Sequence, residues 1–155
     1  MSPAGPDDLG SGPVAWDEAR ELVALVLSLA ALLVTVAPIL GRVIDGQLDR
    51  AGLGSALTGA TPTTGLFVLG AAVLVATTPA VDVTPRLRST VVGVSTIVCL
   101  VALLAALDIL FSDSSGGVRH FFTRFPTILR FSGPAALLSG TAAWVARRVV
   151  PFAGP

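Results

Sequence analysis

The chain has 155 residues, of which 53% are hydrophobic and only 13% are charged. A soluble domain is about a quarter charged, and one of this length has too little interior to hide so much apolar surface. The ten basic and ten acidic residues cancel, so no overall positive field attracts nucleic acid. The composition predicts a single-domain integral membrane protein and argues against a nucleic-acid-binding protein and a soluble enzyme.

Several residue types are missing from the chain or nearly so. All ten basic residues are Arg, and there is no Lys, Asn or Tyr. Because the codons of those three residues are rich in A and T, their absence indicates a GC-rich bacterial genome. The single Cys99 and the single His120 exclude an internal disulfide and a Cys-pair or His-pair metal site within one chain. The sequence therefore predicts neither a metal nor a cofactor.

The N-terminal part combines a polar tail with a long apolar run. Residues 1–13 hold Pro, Gly, Ser and two Asp, which predicts a flexible acidic tail in front of a membrane domain at 14–150. The tail lacks the positive charge that begins a signal peptide, so we expect the first apolar run to be retained. That run, 22–40, contains no charge and favours insertion by about −4 to −7 kcal/mol. It predicts a first span at 20–41.

Two Thr-Pro pairs predict where the next two spans begin. Thr61 and Thr84 each supply a capping hydroxyl and are followed by Pro at the first helical position. Spans are predicted at 62–78 and 85–111. The connection between them is so short that the two helices must form a tight antiparallel hairpin.

The last third of the chain predicts a helix on the membrane surface before a fourth span. The Ser- and Gly-rich stretch after Phe111 is a break, and on a helical wheel the segment 117–125 has one apolar, aromatic face and one polar face. We expect this segment to lie in the headgroup layer and Pro126 to separate it from a span at 126–148. Its candidate docking or interfacial residues are Arg119, His120, Phe121, Phe122, Arg124, Phe125 and Arg130. A plain surface anchor is favoured over a docking platform for a subunit, an anionic lipid or a quinone-like ligand.

Four spans place both termini on the same side of the membrane. The arginines divide five against five between the two sides, so the positive-inside rule does not choose an orientation. The short loop with Arg86 and Arg88 and the terminal pair Arg147 and Arg148 favour cytoplasmic termini. The predicted location is the bacterial cytoplasmic membrane.

Asp108 is an acidic residue that lies between Leu107 and Ile109, near the end of the third predicted span. An acid in mid-membrane costs about 2.5–3.5 kcal/mol, which must be offset by a partner, water or protonation. One interpretation is an intramembrane proton or cation site. The other is an acid at the membrane edge that reaches water or pairs with Arg119, Arg124 or Arg130, and the closeness of Asp108 to the end of its span favours this second interpretation.

Small residues recur every four positions in the fourth predicted span. Such ridges let two helices approach closely in a membrane. We expect them to pack mainly within the protein's own bundle, with docking to a partner helix as the alternative. The two ridges consist of Ser132, Ala136 and Gly140, and of Ala135, Ser139 and Ala143.

No catalytic signature accompanies these features, since the chain has no phosphate-binding Gly loop with Lys, no H-E-x-x-H and no G-x-S-x-G. The fold class we predict is an all-α membrane protein with four transmembrane helices in an up-down bundle. The leading hypothesis for function is a non-catalytic accessory or scaffold subunit of a larger membrane complex that binds partner helices or lipids. The alternative is a small homo-oligomeric transporter or channel that uses Asp108. A membrane enzyme acting on lipids is a weaker third option, because acids and histidines are not clustered.

Overall fold

The computed structural model describes residues 13–46, 57–78, 84–111 and 117–148. These residues form helices and no strands, so the prediction of an all-helical chain is confirmed. The predicted tail at 1–13 lies outside the described residues except for its last residue. The elements are α1 (Pro13–Ile44), a 3-10 turn (Leu57–Gly59), α2 (Pro62–Thr77), α3 (Pro85–Phe111), α4 (Gly117–Arg130) and α5 (Ser132–Arg148).

Helix α2 begins where the Thr-Pro pair supplies the capping groups. The hydroxyl of Thr61 accepts a hydrogen bond from the backbone N–H of Thr64 at 3.4 Å, and the hydroxyl of Thr64 accepts one from the N–H of Thr61 at 3.0 Å. This reciprocal pair satisfies two backbone donors that the first turn of a helix leaves without a partner. Pro62 follows at the first helical position, where its missing N–H costs no hydrogen bond.

Four helices, α1, α2, α3 and α5, pack together into a bundle. Helices α2 and α3 contact each other and both remaining helices, so α1 and α5 lie on opposite sides of this central pair. The interior is built from small and β-branched side chains, which allow short distances between helix axes. Its buried members include Ala24, Ser28, Ala31, Val68, Ala71, Ala72, Val91, Ser95, Val98, Ala135, Ser139 and Ala142.

Long-range hydrogen bonds show how the bundle helices are oriented. At one end, the backbone N–H of Thr84 donates to Oε1 of Glu21 at 3.2 Å, and Nε of Arg88 donates to the carbonyl of Ala146 at 3.0 Å. Thr84 therefore lies beside the N-terminal part of α1, and the first turn of α3 lies beside the last turn of α5. The 3-10 turn, the end of α3 and the start of α5 meet at the opposite end, so successive bundle helices run antiparallel.

Two of the four predicted spans have the length and composition of a membrane-crossing helix. They are Glu18–Ile44 of α1 and Pro85–Phe111, which is α3, and no other described helix meets both conditions. Helix α2 is apolar but has 16 residues, and α5 has 17 residues and two arginines in its last turn. At about 1.5 Å per residue these helices rise about 24 and 25 Å, less than the hydrocarbon thickness of about 30 Å.

The predicted break at Pro126 is wrong, because α4 continues through that residue to Arg130. A one-residue turn at Phe131 separates α4 from α5 instead, three residues before Pro134. Pro134 has no N–H to donate to the carbonyl of Arg130, and its ring clashes with that carbonyl in a regular helix. The interruption shortens the fourth predicted span from 126–148 to the 17 residues of α5.

Candidate functional site

A cavity of ≈ 350 Å³ lies at the end of the bundle that contains Asp108. Its volume falls within the range of about 300–1,000 Å³ that small-molecule sites occupy. Three parts of the fold meet around it: the 3-10 turn with the start of α2, the last turns of α3, and the junction of α4 with α5. The lining residues are Leu57, Ala60, Thr61, Ala105, Asp108, Ile109, Thr127, Phe131 and Ser132. We call this space the Asp108 cavity.

The Asp108 cavity has mostly apolar walls and one charged side chain. Leu57 and Ala60 are buried, and Ala105 and Ile109 present further apolar surface from α3. Asp108 is half-buried, and within the described part of the chain no side chain or backbone group donates a hydrogen bond to its carboxyl group. The cavity therefore places a carboxyl group beside a low-polarity volume.

Among the described side chains, Asp108 forms none of the ion pairs predicted for it. Neither Arg124 nor Arg130 forms an ion pair with Asp108, and the side chain of Arg119 lies outside those that the structure describes. Arg130 is exposed, whereas Asp108 faces the cavity. An opposite charge from α4 therefore does not compensate this acid among the described side chains.

Ser132 is a second unusual group in the same cavity. Its side chain is 2% exposed, and its hydroxyl oxygen has no hydrogen-bond partner. A buried hydroxyl without a partner costs about 1–3 kcal/mol, so such groups are rare. From the sequence, Ser132 is a small residue of a packing ridge, and its position beside Asp108 follows only from the fold.

The small residues of α5 divide into an inner and an outer set. Ser132, Ala135 and Ser139 are buried, and the hydroxyl of Ser139 donates to the carbonyl of Ala135 at 2.6 Å. Gly65 of α2 packs against this inner set. The outer set, Ala136, Gly140 and Ala143, is half-buried. Each predicted ridge therefore contains both buried and half-buried residues. The ridges were defined by spacing in the sequence, whereas burial depends on where α2 and α3 pack against α5.

Gly140 and Ala143 of the outer set line a groove of ≈ 280 Å³ between α3 and α5. Cys99 lines the groove, and its thiol donates a weak hydrogen bond to the carbonyl of Ala136 at 3.6 Å. Trp144 stands at one end with Arg148 stacked over its ring at 4.6 Å. The lining residues are Thr96, Cys99, Leu100, Gly140, Ala143, Trp144 and Arg147. We call it the α3–α5 groove.

Helix α4 presents apolar side chains outward. Phe122, Phe125 and Leu129 are exposed, and their spacing puts them on one side of the helix. Arg124 is half-buried. The side chains of the predicted docking residues Arg119, His120 and Phe121 lie outside those that the structure describes.

A third cavity, ≈ 380 Å³, opens between α1 and α3 at the end that holds Arg88. Glu18, Glu21 and Arg86 line it, so opposite charges lie close together and no single sign of ligand is selected. Among the described residues, no three His, Cys, Asp or Glu side chains are grouped as a metal site would require.

The chain was compared with known protein families, proteins and structures. The chain has no significant match to a protein-family model, to a curated protein or to a solved structure.

Proposed function

We propose that the protein is an integral protein of the bacterial cytoplasmic membrane and that all four bundle helices cross the bilayer in up-down order. The outward faces of the two long helices support this, because only 22% of the most apolar window of α1 and 33% of that of α3 are buried. A core helix of a soluble protein is mostly buried. Leu29 and Leu33 of α1 and Leu100 and Leu104 of α3 are among the exposed side chains.

The spacing of charges along α3 supports the same placement. Arg88 and Asp108 enclose an uncharged stretch of the helix. Their separation of 20 positions corresponds to a rise of about 30 Å, the hydrocarbon thickness of a bilayer. Helices α2 and α5 run alongside this stretch, and their shortfall of about 5 Å is within what a bilayer accommodates by local thinning at modest cost.

We propose that the biochemical role is that of a non-catalytic accessory subunit, which binds a transmembrane helix of another protein. The α3–α5 groove carries this proposal. Helix association in lipid depends on close packing and on small residues rather than on apolar burial as such. Gly140 and Ala143 provide the small residues, and both are only half-buried within the described part of the chain.

The interior of a single bundle does not favour the transporter alternative. Val68, Val98 and Ala102 are completely buried at its centre, so a pathway would have to run between several copies. The Asp108 cavity is the observation that supports the transporter alternative. Proteoliposomes would decide it, since a transporter that uses Asp108 should lose flux in Asp108→Asn, and an accessory subunit should show none in either form.

Filling the groove should release the partner. We expect Gly140→Leu to lower the amount of partner recovered with the protein in mild detergent by at least tenfold, because the added side chain occupies the space of the incoming helix. The measurement is quantitative mass spectrometry of material purified in parallel from cells that express each variant.

The matched control is Gly41→Leu on α1. Gly41 has no atom within 4 Å of an added Cβ, and α1 lies on the opposite side of the bundle from α5. This variant should retain the partner. A wild-type protein that purifies alone, or equal recovery of the partner from Gly140→Leu and wild type, would contradict the accessory role.

A further inference from the structure

We infer that the Asp108 cavity binds an amphiphile with an ammonium head group and an apolar chain. The inference concerns a small ligand and is independent of the proposed partner helix. It stands on three observations at one place: a cavity of suitable volume, a carboxyl group without a described partner, and a buried hydroxyl without a partner.

The charge of the cavity selects the sign of the ligand. Among the described residues that line it, Asp108 is the only charged one. A carboxylate beside an apolar volume interacts more strongly with a cation than it does in water, because the local dielectric constant is lower. An ammonium group at this position would form the ion pair with Asp108 that neither Arg124 nor Arg130 forms.

The hydroxyl groups define the polar part of the site. The Ser132 oxygen can accept a hydrogen bond from an ammonium N–H, which would remove the cost of leaving this buried group without a partner. Thr61 and Thr127 add two more hydroxyl groups to the lining. The carboxylate only accepts hydrogen bonds and each hydroxyl can accept one as well as donate one, so these oxygens can bind a head group that carries only donors.

The apolar walls select what is attached to that head group. Leu57, Ala105, Ile109 and Phe131 surround the rest of the cavity. A hydrated inorganic cation would leave these walls in contact with water, whereas an alkyl chain would remove them from it. The walls therefore favour an alkylammonium compound over a metal ion.

The probe that tests the inference is octylammonium, with octanol and octanoate as compounds of the same chain length. Binding to the purified full-length protein is measured by isothermal titration calorimetry. We expect wild-type protein to bind octylammonium at least tenfold more tightly than octanol and to show no binding of octanoate. Equal affinities for octylammonium and octanol would overturn the inference.

Three substitutions locate the site. Asp108→Asn keeps the shape of the side chain and should weaken octylammonium at least tenfold while leaving octanol unchanged. Ala105→Phe fills the cavity and should abolish both. Asp45→Asn removes an exposed carboxyl group outside the cavity and should change neither. If Asp108→Asn and Asp45→Asn weakened octylammonium equally, the binding would be non-specific and the inference wrong.

A second, more conservative substitution tests the same site in case Asp108→Asn does not fold. Ser132→Ala keeps a small side chain and should weaken octylammonium several-fold while leaving octanol unchanged. Circular dichroism of each variant should match that of the wild type. If Asp108→Asn were unfolded, an unchanged octylammonium affinity in Ser132→Ala would overturn the inference.

The ammonium group could come from a free amine or from the head group of a membrane lipid. Two kinds of nanodisc distinguish these sources. Both contain the same fraction of phosphatidylglycerol, and the remaining lipid is phosphatidylethanolamine in one and an uncharged glycolipid in the other. A lower octylammonium affinity in the phosphatidylethanolamine discs would support the inference with the lipid as ligand. Equal affinities would support it with a free amphiphilic amine.

Discussion

Gly59→Ala is expected to destabilise the protein by about 2–3 kcal/mol, a large effect for the addition of one methyl group. A Cβ atom at this position would lie 2.6 Å from the carbonyl oxygen of Val34 and 2.9 Å from that of Thr35. Both oxygens belong to the backbone of α1. They cannot rotate away as the end of a side chain can, so the turn or the helix has to move.

The close approach of Gly59 to α1 has a cause in the sequence of that helix. Pro38 lies within α1, four residues after Val34, and has no N–H to donate to the Val34 carbonyl. The 3-10 turn packs on this part of the helix. Gly46 is the only described glycine with a positive φ, so contact rather than backbone conformation requires glycine at position 59.

The change is measured as the midpoint of thermal unfolding of the purified protein in detergent. Gly41→Ala is the control, because it makes the same substitution at a position with nothing within 4 Å of the added Cβ. The control should unfold at the wild-type temperature or slightly above it, since Ala favours a helix over Gly by about 1 kcal/mol. Equal midpoints for the two variants would refute the close contact between the turn and α1.

Gly65→Ala is expected to destabilise the protein by about 1–3 kcal/mol through the contact between α2 and α5. The added Cβ would lie 3.0 Å from Cβ of Leu138 and 3.3 Å from both Cα and the carbonyl oxygen of Ala135. The two Ala135 atoms belong to the backbone, and Cβ of Leu138 is bonded directly to it. The two helices must therefore separate by a few tenths of an ångström along their shared face.

The control for this prediction lies on the same helix. Gly70→Ala would meet only Cδ1 of Leu27, at 3.6 Å, which is an ordinary van der Waals distance to the end of a flexible side chain. Gly70→Ala should leave the unfolding midpoint unchanged or raise it. A Gly70→Ala protein less stable than Gly65→Ala would show that α2 and α5 do not cross at Gly65.

Several local features of the fold follow from the sequence because they depend on neighbouring residues. The all-helical character follows from long uncharged apolar runs. The start of α2 at Pro62 follows from a Thr-Pro pair whose hydrogen bonds are made within four residues. The helix is interrupted at Phe131 and not at Pro126, and the nearby Pro134, which has no N–H, offers a local explanation.

The candidate sites required the tertiary structure. Asp108 stands out in the sequence as an acid in an apolar span, but the sequence offers arginines of the last loop as its partners. The fold surrounds it instead with Thr61 and Ser132, which lie 47 and 24 positions away along the chain. Likewise, the spacing of small residues in α5 predicts close packing, and only the positions of α2 and α3 decide that Ser139 is buried and that Gly140 borders a groove.

The apolar and helical character of the chain, and the residues where most of its helices begin, can be predicted from local sequence, because the free energies of apolar transfer and of helix capping are sums over adjacent residues. Only the tertiary structure decided which polar groups share a cavity and which glycines touch another backbone. Those contacts depend on how helices distant in sequence cross, and a helix with small residues on more than one side offers several such crossings. Helix α5 shows both contributions, since its start after Phe131 is a local feature of the chain, whereas the packing of α2 and α3 decides which of its faces is buried.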